Sequence, residues 1–330
     1  MIAGDAPTLL SEQSDIAEFA RDVRLGLGRI GQKELASTWL YDEVGSALFE
    51  AITYLPEYGL TRADERLLRD HASSIAGLLP ESTLVAELGS GSGRKTKHVL
   101  QALSNGRRVV YYPIDVSPSA LNSCRQDLAS TATIIAIKNS YLDGLRQVAA
   151  LRHPAQTLLV LFLGSTLGNF DPSGALQFLQ GVRRVLREGD FLLLGTDLVK
   201  PVDRMILAYD DPPGVTAAFN LNLLARINRE LDADFDLREF RHQAIYNEDE
   251  RRIEMHLVSL CRQSVRIPGA GLLVSLSPRE TIWTESSHKF QQEELEELAF
   301  KAGFRQKAQW IDSEWPFAES LWTACSKRPE

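Results

Sequence analysis

Short apolar runs alternate with longer amphipathic stretches over the middle of the chain. Leu84–Leu88, Arg108–Ile114, Thr133–Lys138, Thr157–Leu163 and Phe191–Leu194 are compact and aliphatic, which predicts strands. Before and between them, 61–79, 95–103, 119–128 and 175–186 carry apolar residues at helical spacing. The run from Thr157 to Leu163 is continuously apolar after its first residue, the pattern of a central strand covered on both faces. Alternation of this kind predicts an α/β fold with a mainly parallel sheet and right-handed crossovers.

After residue 194 the pattern breaks. Pro201 to Leu231 is mostly helical with a turn at Asp210–Gly214, and Phe240 to Trp283 becomes strand-like. This block is too long for a loop and predicts a second domain inserted into the first. Helical spacing returns at Leu295, Leu298, Ala299 and Ala302, and the runs 304–311 and 321–326 are expected to complete the first sheet. Nearer the start, Ile16 to Leu27 has helical character, and Pro56 is expected to stop a helix and leave Glu57 and Tyr58 on a turn.

Composition narrows the partners. A chain of 330 residues with 44% hydrophobic content can bury one large or two ordinary cores. Its net charge of −8, with no long basic run, argues against nucleic acid and in favour of small molecules. Cys124, Cys261 and Cys325 are scattered without short spacing, so neither a disulfide framework nor a thiolate metal site is signalled, and the six histidines are dispersed. A reducing cytoplasm is the expected setting. The first fourteen residues lack the features of an export signal, and no apolar run approaches the length of a membrane span.

The chemistry gathers around Leu84-Val-Ala-Glu-Leu-Gly-Ser-Gly-Ser-Gly-Arg-Lys-Thr-Lys97, a strand entering a turn with Gly89, Gly91 and Gly93. Such a turn lets backbone approach a ligand, and the helix that follows would aim its amides at the same space. Asp115 ends the second strand, where an acid accepts ribose hydroxyls, although it could also start the helix after Val116-Ser117-Pro118. Asn169 follows the fourth strand in Gly164-Ser-Thr-Leu-Gly-Asn169, and is either a ligand to an amino-acid-like substrate or the cap of the next helix. Tyr41, Tyr54 and Tyr58 could line a pocket or sit in ordinary packing. Met255 has the spacing of a core residue, and Glu285 and Ser287 share one face of a strand end. Three classes of protein fit: a methyltransferase, a nicotinamide dehydrogenase, and a module that only binds a nucleotide. Arg94 stands where a dinucleotide fingerprint wants its third glycine, which disfavours the dehydrogenase.

These residues resemble the histidine-specific, S-adenosylmethionine-dependent Nα-methyltransferases that make trimethylhistidine (hercynine) for ergothioneine biosynthesis. The likeness runs from about residue 37 to 325. It is carried by Tyr41-Asp-Glu-Val-Gly-Ser46, Leu55-Pro-Glu-Tyr58, Glu87-Leu-Gly-Ser-Gly91 with Lys95-Thr96, Phe162-Leu-Gly-Ser-Thr166 with Gly168-Asn169, Gly195-Thr-Asp-Leu-Val-Lys200 and Ala208-Tyr-Asp-Asp211. The resemblance implies a Rossmann-like class I methyltransferase sheet with an inserted α+β substrate-binding domain. Residues 61–196 with 288–330 would bind the methyl donor, and 15–60 with 197–287 the substrate.

It further implies that Gly89, Gly91, Lys95, Asp115, Ser140 and Tyr141 hold S-adenosylmethionine. Tyr41, Asn169 and Tyr209 would orient the reacting amine of L-histidine, and Tyr58, Met255, Glu285 and Ser287 would complete the amino-acid site, with the acid at 285 suited to an imidazole N–H. The expected protein is a monomer without metal. Two departures stand out: Asn139-Ser-Tyr141 replaces the family's Gly-Asp-Phe, and Gly59 replaces a second tyrosine after Tyr58. Either could accompany methylation of a ring nitrogen, or of another amino acid such as tryptophan.

Overall fold

The computed structural model describes residues 6–104 and 109–326. The chain divides into two compact units, one formed by Tyr58–Pro201, Glu250–Arg252 and Ser287–Glu330, the other by Met1–Glu57, Val202–Asp249 and Ile253–Ser286. In the first, strands β1 (Thr83–Leu88), β2 (Val109–Asp115), β3 (Ala132–Ile134, resumed at Ile137–Lys138), β4 (Thr157–Phe162), β5 (Phe191–Asp197), β6 (Phe304–Ile311) and β7 (Phe317–Ala324) form one sheet. Their order is β6-β7-β5-β4-β1-β2-β3. The β1, β2, β3, β4 and β5 neighbours run parallel, and β7 joins β5 antiparallel, as β6 joins β7. The expected α/β sheet is therefore present, and the runs after residue 304 complete it. Arg108, expected to open the second strand, lies outside the described residues.

Why these strands lie inside follows from their residues. Alternate positions enter two separate cores: Leu84, Ala86, Leu158 and Val160 one, Val85, Leu159 and Leu161 the other. Helices Gly59–Gly77, Thr96–Ser104 and Pro118–Leu128 supply Leu68, Val99 and Cys124 to one core, while Tyr141–Leu151, Pro172–Val185 and Gln292–Lys301 supply Val148, Leu179 and Leu295 to the other. A strand with both faces covered has no polar face, which is why β1, β4 and β5 are apolar runs without alternation. The chain leaves β1 toward β2 and β3, then returns to lay β4 on the other side of β1. The order reverses there, and the turns after β1 and β4 share that end of the sheet, the place where such sheets bind ligands.

One strand departs from expectation. The run 133–138 is not continuous, because Ile135 N–H and Asn139 N–H bond to the carbonyls of Tyr111 and Asp115, a register in which residue 113 would donate to the carbonyl of Ile135. Residue 113 is a proline with no N–H to give, so the ladder lapses and β3 forms in two pieces.

The second unit is mixed. Its sheet takes the order Lys33–Glu34, Thr281–His288, Arg252–Ser259, Phe240–Asn247, and an antiparallel hairpin joins Gln263–Ile267 to Leu272–Leu276. Helix Val215–Leu231 buries Phe219, Leu223, Leu224 and Ile227. Asp211 accepts both Val215 N–H and Thr216 N–H at 2.8 Å, which fixes where that helix begins. Asp42 caps helix Glu43–Thr53 through Gly45 N–H at 2.7 Å and also takes Asn222 Nδ2 at 2.7 Å, so one carboxylate ties two helices together.

Pro56 follows the end of the preceding helix, at Thr53, and Tyr58 stands at the cap of the next one, which begins at Gly59. Gly59 has no space for a side chain, since a Cβ there would stand 2.2 Å from the Trp315 ring. Trp315 is fixed by its own backbone N–H to Asp312 at 2.7 Å and by its indole N–H to Asp197 at 2.9 Å. The indole therefore occupies the volume that the family's second tyrosine would need. Gly59→Tyr is expected to cost at least about 1–3 kcal/mol by overpacking. Combined with Trp315→Ala, the loss should be smaller than the sum of the two single losses in chemical denaturation; strict additivity would show that the two positions do not share this space.

Candidate active site

The turn after β1 is built from three glycines with different tasks. Gly89 and Gly91 have φ of +72° and +52°, a region in which a side chain is strained. A Cβ on Gly91 would meet nothing within 4 Å, so its backbone is open to a ligand, whereas Gly93 lies against Cys124 and Leu128 and serves packing. The Ser90 hydroxyl in the same turn is buried with no hydrogen-bond partner among the described residues.

Asp115 closes one side of this turn. Its Oδ2 accepts Gly91 N–H at 3.2 Å and its Oδ1 accepts Ser117 N–H at 2.9 Å, while the Ser117 hydroxyl caps the following helix through Ala120 N–H. Burial raises the Asp115 pKa, and the Ser117 and Gly91 amides offset part of that rise. Each carboxylate oxygen keeps a lone pair for a further donor such as a hydroxyl.

Tyr141 packs over the glycine turn, its hydroxyl 3.2 Å from where a Gly89 Cβ would be, and its ring meets Phe162 edge-on at 5.6 Å. Burial pushes its pKa up to about 12, so it remains a neutral phenol. Ser140 is exposed and donates to Asp143 at 2.9 Å. Asp143, one helical turn beyond the missing acid, also pairs with the Arg146 guanidinium.

Glu87 and Lys95, flanking the glycines, both make protein contacts. Glu87 accepts hydroxyls from Thr96 at 2.7 Å and from Tyr111, and burial is the main force pushing its pKa to about 7. Lys95 donates to Asp64. Burial opposes the ammonium charge, yet the attraction and hydrogen bond of Asp64 outweigh it and the pKa rises. The same Asp64 oxygen accepts Gly164 N–H at 2.9 Å, joining the turn after β1 to the turn after β4.

The β4 turn reverses through two successive positive φ angles, at Gly164 and, unusually for a residue with a side chain, Ser165. Ser165 is held there because its hydroxyl accepts Asp197 N–H from β5 at 2.9 Å. A single helical turn, Thr166–Asn169, follows. The cap of helix Pro172–Val185 is Asp171, which accepts Gly174 N–H at 2.7 Å; Asn169 does not do that work. The Asn169 side chain is partly exposed and has no hydrogen-bond partner among the described residues. Gly168 lies so close to the His288 backbone that a Cβ would be 2.9 Å from its carbonyl oxygen. Ser287, next to it, accepts Lys289 Nζ at 2.8 Å, and Tyr58 is buried at the head of its helix.

In the mixed unit, Tyr41 stacks edge-on with Phe49 at 5.4 Å and Phe219 at 5.5 Å. Tyr209 is buried at the end of helix Val202–Tyr209, and its carbonyl accepts His242 Nε2–H at 2.8 Å. His242 Nδ1 in turn accepts Asn220 at 2.9 Å, and burial lowers the His242 pKa, so the ring is neutral with its proton on Nε2. Met255 is 1% exposed, as are its strand neighbours Ile253 and Leu257 within a point, while Glu285 is half-buried on the adjacent strand.

Asp64, Glu319, Ser165 and His242 are not singled out by the sequence reading, although a signal exists for two of them. Asp64 falls on the apolar stripe Leu60, Ala63, Leu67, Leu68 of its helix, and Glu319 interrupts the fully buried run Phe317–Ala324. A charge at a core position of a helix or strand marks a built polar site.

Residues 19–324 match the family model described as histidine-specific methyltransferase, SAM-dependent. The histidine N-alpha-methyltransferase of Mycolicibacterium smegmatis is 42% identical over 313 residues, covering 94% of this chain and 97% of that protein. The protein of the same name from Mycobacterium tuberculosis is 41% identical with the same coverage. Ergothioneine biosynthesis protein 1 of Neurospora crassa is 32% identical over 85% of this chain, which spans 32% of that longer protein. With a glycine turn at the switch point of the sheet, an acid ending the second strand, and agreement over nearly the whole sequence, the chain belongs to the histidine-specific, S-adenosylmethionine-dependent methyltransferases.

Proposed function

We infer that this chain transfers methyl groups from S-adenosylmethionine to the α-amine of L-histidine, and we propose that it continues to the trimethylated product. The observation that carries the donor is the open backbone of Gly91 beside the Asp115 carboxylate, at the reversal of strand order. The acceptor is carried by kinship with histidine-specific enzymes at 41–42% identity over 94% of the chain.

S-adenosylmethionine, when bound, supplies an electrophilic methyl on a cationic sulfur. The residues fit such a ligand: Asp115 retains lone pairs for ribose hydroxyls, Gly89 and Gly91 leave the backbone approachable, and the unpartnered Ser90 hydroxyl lies in the same turn. We assign Ser140 and Tyr141 to the border of the base, and Lys95, one of whose three hydrogens goes to Asp64, to the donor's carboxylate. Tyr41, Asn169 and Tyr209 are assigned to orientation of the amine, and Tyr58, Met255, Glu285 and Ser287 to the rest of the amino acid. These groups bind and align; the proton leaves the amine through water. Alignment alone converts a two-body reaction into a one-body one and supplies a large part of the rate.

Asp143 stands beside Ser140 and the Trp315 ring beside Gly59, and we take neither departure as an argument for another acceptor. No helix of the described residues is long and apolar enough to cross a membrane. Unpaired thiols at Cys124, Cys261 and Cys325 suit a reducing cytoplasm, where we propose the protein works as a monomer. Sedimentation velocity should give a single species near 36.8 kDa, and a species of twice that mass would refute the monomer.

Asn169→Ala is expected to lower turnover of histidine by about 10- to 100-fold, the worth of a hydrogen bond to the charged α-carboxylate beside the amine, while calorimetry finds S-adenosylhomocysteine affinity nearly unchanged. Glu285→Ala should weaken histidine more than tryptophan in the same assay. Wild-type turnover in the Asn169 variant, or an unaltered preference in the Glu285 variant, would remove that residue from the site.

A further inference from the structure

Three carboxyl groups and one ammonium share the interior at the carboxyl end of the parallel sheet. Asp64, Glu87 and Glu319 are 0%, 2% and 1% exposed, and Lys95 is the cation beside them. Fully ionised, the cluster would set three buried negative charges against one cation, Lys95, whose side chain is 22% exposed, at a cost of several kcal/mol for each uncompensated buried ion.

Glu87 is accounted for by the Thr96 and Tyr111 hydroxyls. Glu319 is not. As a carboxylate, neither of its oxygens has a hydrogen-bond partner among the described residues, and the same is true of Asp64 Oδ1. Yet the two carboxyl groups lie within hydrogen-bonding reach of each other. Two carboxylates have nothing to donate; one proton between them satisfies both. Burial is the main force raising the Glu319 pKa well above the usual carboxylate range, the Asp64 charge adds to it, Glu87 adds less, and Lys95 opposes. The space for this carboxyl comes from Gly195, its partner across β5 and β7, where a Cβ would be 2.8 Å from Glu319 Oε1.

We propose that Glu319 is a positioning residue of the methyl-donor site and works as a neutral carboxylic acid: its O–H donates to Asp64 Oδ1, while Asp64 Oδ2 holds both Lys95 and the Gly164 N–H. The acid thereby sets the geometry of both ligand turns without touching the ligand. The proposal rests on the assignment of Lys95 to the donor, and the tests separate the two.

Glu319→Gln keeps a neutral donor of nearly the same shape, and Glu319→Leu removes it. The difference infrared spectrum between wild type and Glu319→Gln at neutral pH should contain the carbonyl stretch of a protonated carboxyl, present only in wild type. Titrated with S-adenosylhomocysteine, Glu319→Gln should bind within about threefold of wild type and Glu319→Leu about tenfold or more weaker, the equivalent of one lost buried hydrogen bond. Absence of the infrared band, with Glu319→Gln weakened as much as Glu319→Leu, would make Glu319 an ionised partner of Lys95 and overturn the proposal. Should Glu319→Leu not fold, the band and the glutamine variant still decide. Lys95→Met tests the other assignment: unchanged donor affinity there would withdraw Lys95 from the donor, and the positioning role of Glu319 with it, even with the band present.

Discussion

The carboxyl end of the parallel sheet depends on the buried Asp64 carboxylate. One oxygen serves two partners that are far apart in sequence, the Lys95 ammonium after β1 and the Gly164 amide after β4. Those partners belong to the two turns that flank the reversal of strand order, so the relative placement of both turns follows from satisfying a single buried charge. An apolar residue at 64 would leave Lys95 and an amide without their partner, a loss larger than the modest net worth of an ordinary hydrogen bond. The left-handed turn at Gly164 and Ser165 is over-determined in the same manner, from Asp64 on one side and from the Asp197 amide on the other.

The mixed unit solves a similar problem around a neutral histidine. Tyr209 is held through its backbone, by a histidine that burial keeps uncharged and whose other nitrogen is satisfied by Asn220. Asn220 donates as well to the His256 carbonyl, and His256 donates to Glu254, which also takes Asn247. A chain of hydrogen bonds thus links the helix end that carries Tyr209 to two strands of its sheet. Each link restricts the next, although Asn220 Oδ1 and His256 Nδ1 have no hydrogen-bond partner among the described residues.

Much of this fold is legible in the sequence because strands buried on both faces advertise themselves. The apolar runs at 84–88, 157–163 and 191–194 appear as β1, β4 and β5, and the glycine turn and Asp115 fall where the alternating pattern puts them. The third strand reads as continuous, wrongly, because Pro113 acts across the ladder on the carbonyl of Ile135, and single-strand patterns carry no register. Asn169 can be weighed only as cap or ligand until Asp171 is found capping the helix. Gly59 looks like a loss of side chain at the site, yet Trp315, distant in sequence, fills the volume. In each case the missing information is a contact between separate parts of the chain, and Asp64 with Glu319 is the same lesson in charge.

The α-nitrogen of histidine is the acceptor to which the family kinship points. The most direct measurement supplies histidine and S-adenosylmethionine labelled with carbon-13 in its methyl, and locates the label in the product by NMR. Labelled methyl carbons should be bonded to the α-nitrogen, with the imidazole nitrogens unsubstituted. Label on a ring nitrogen, or transfer to tryptophan in preference to histidine, would contradict it.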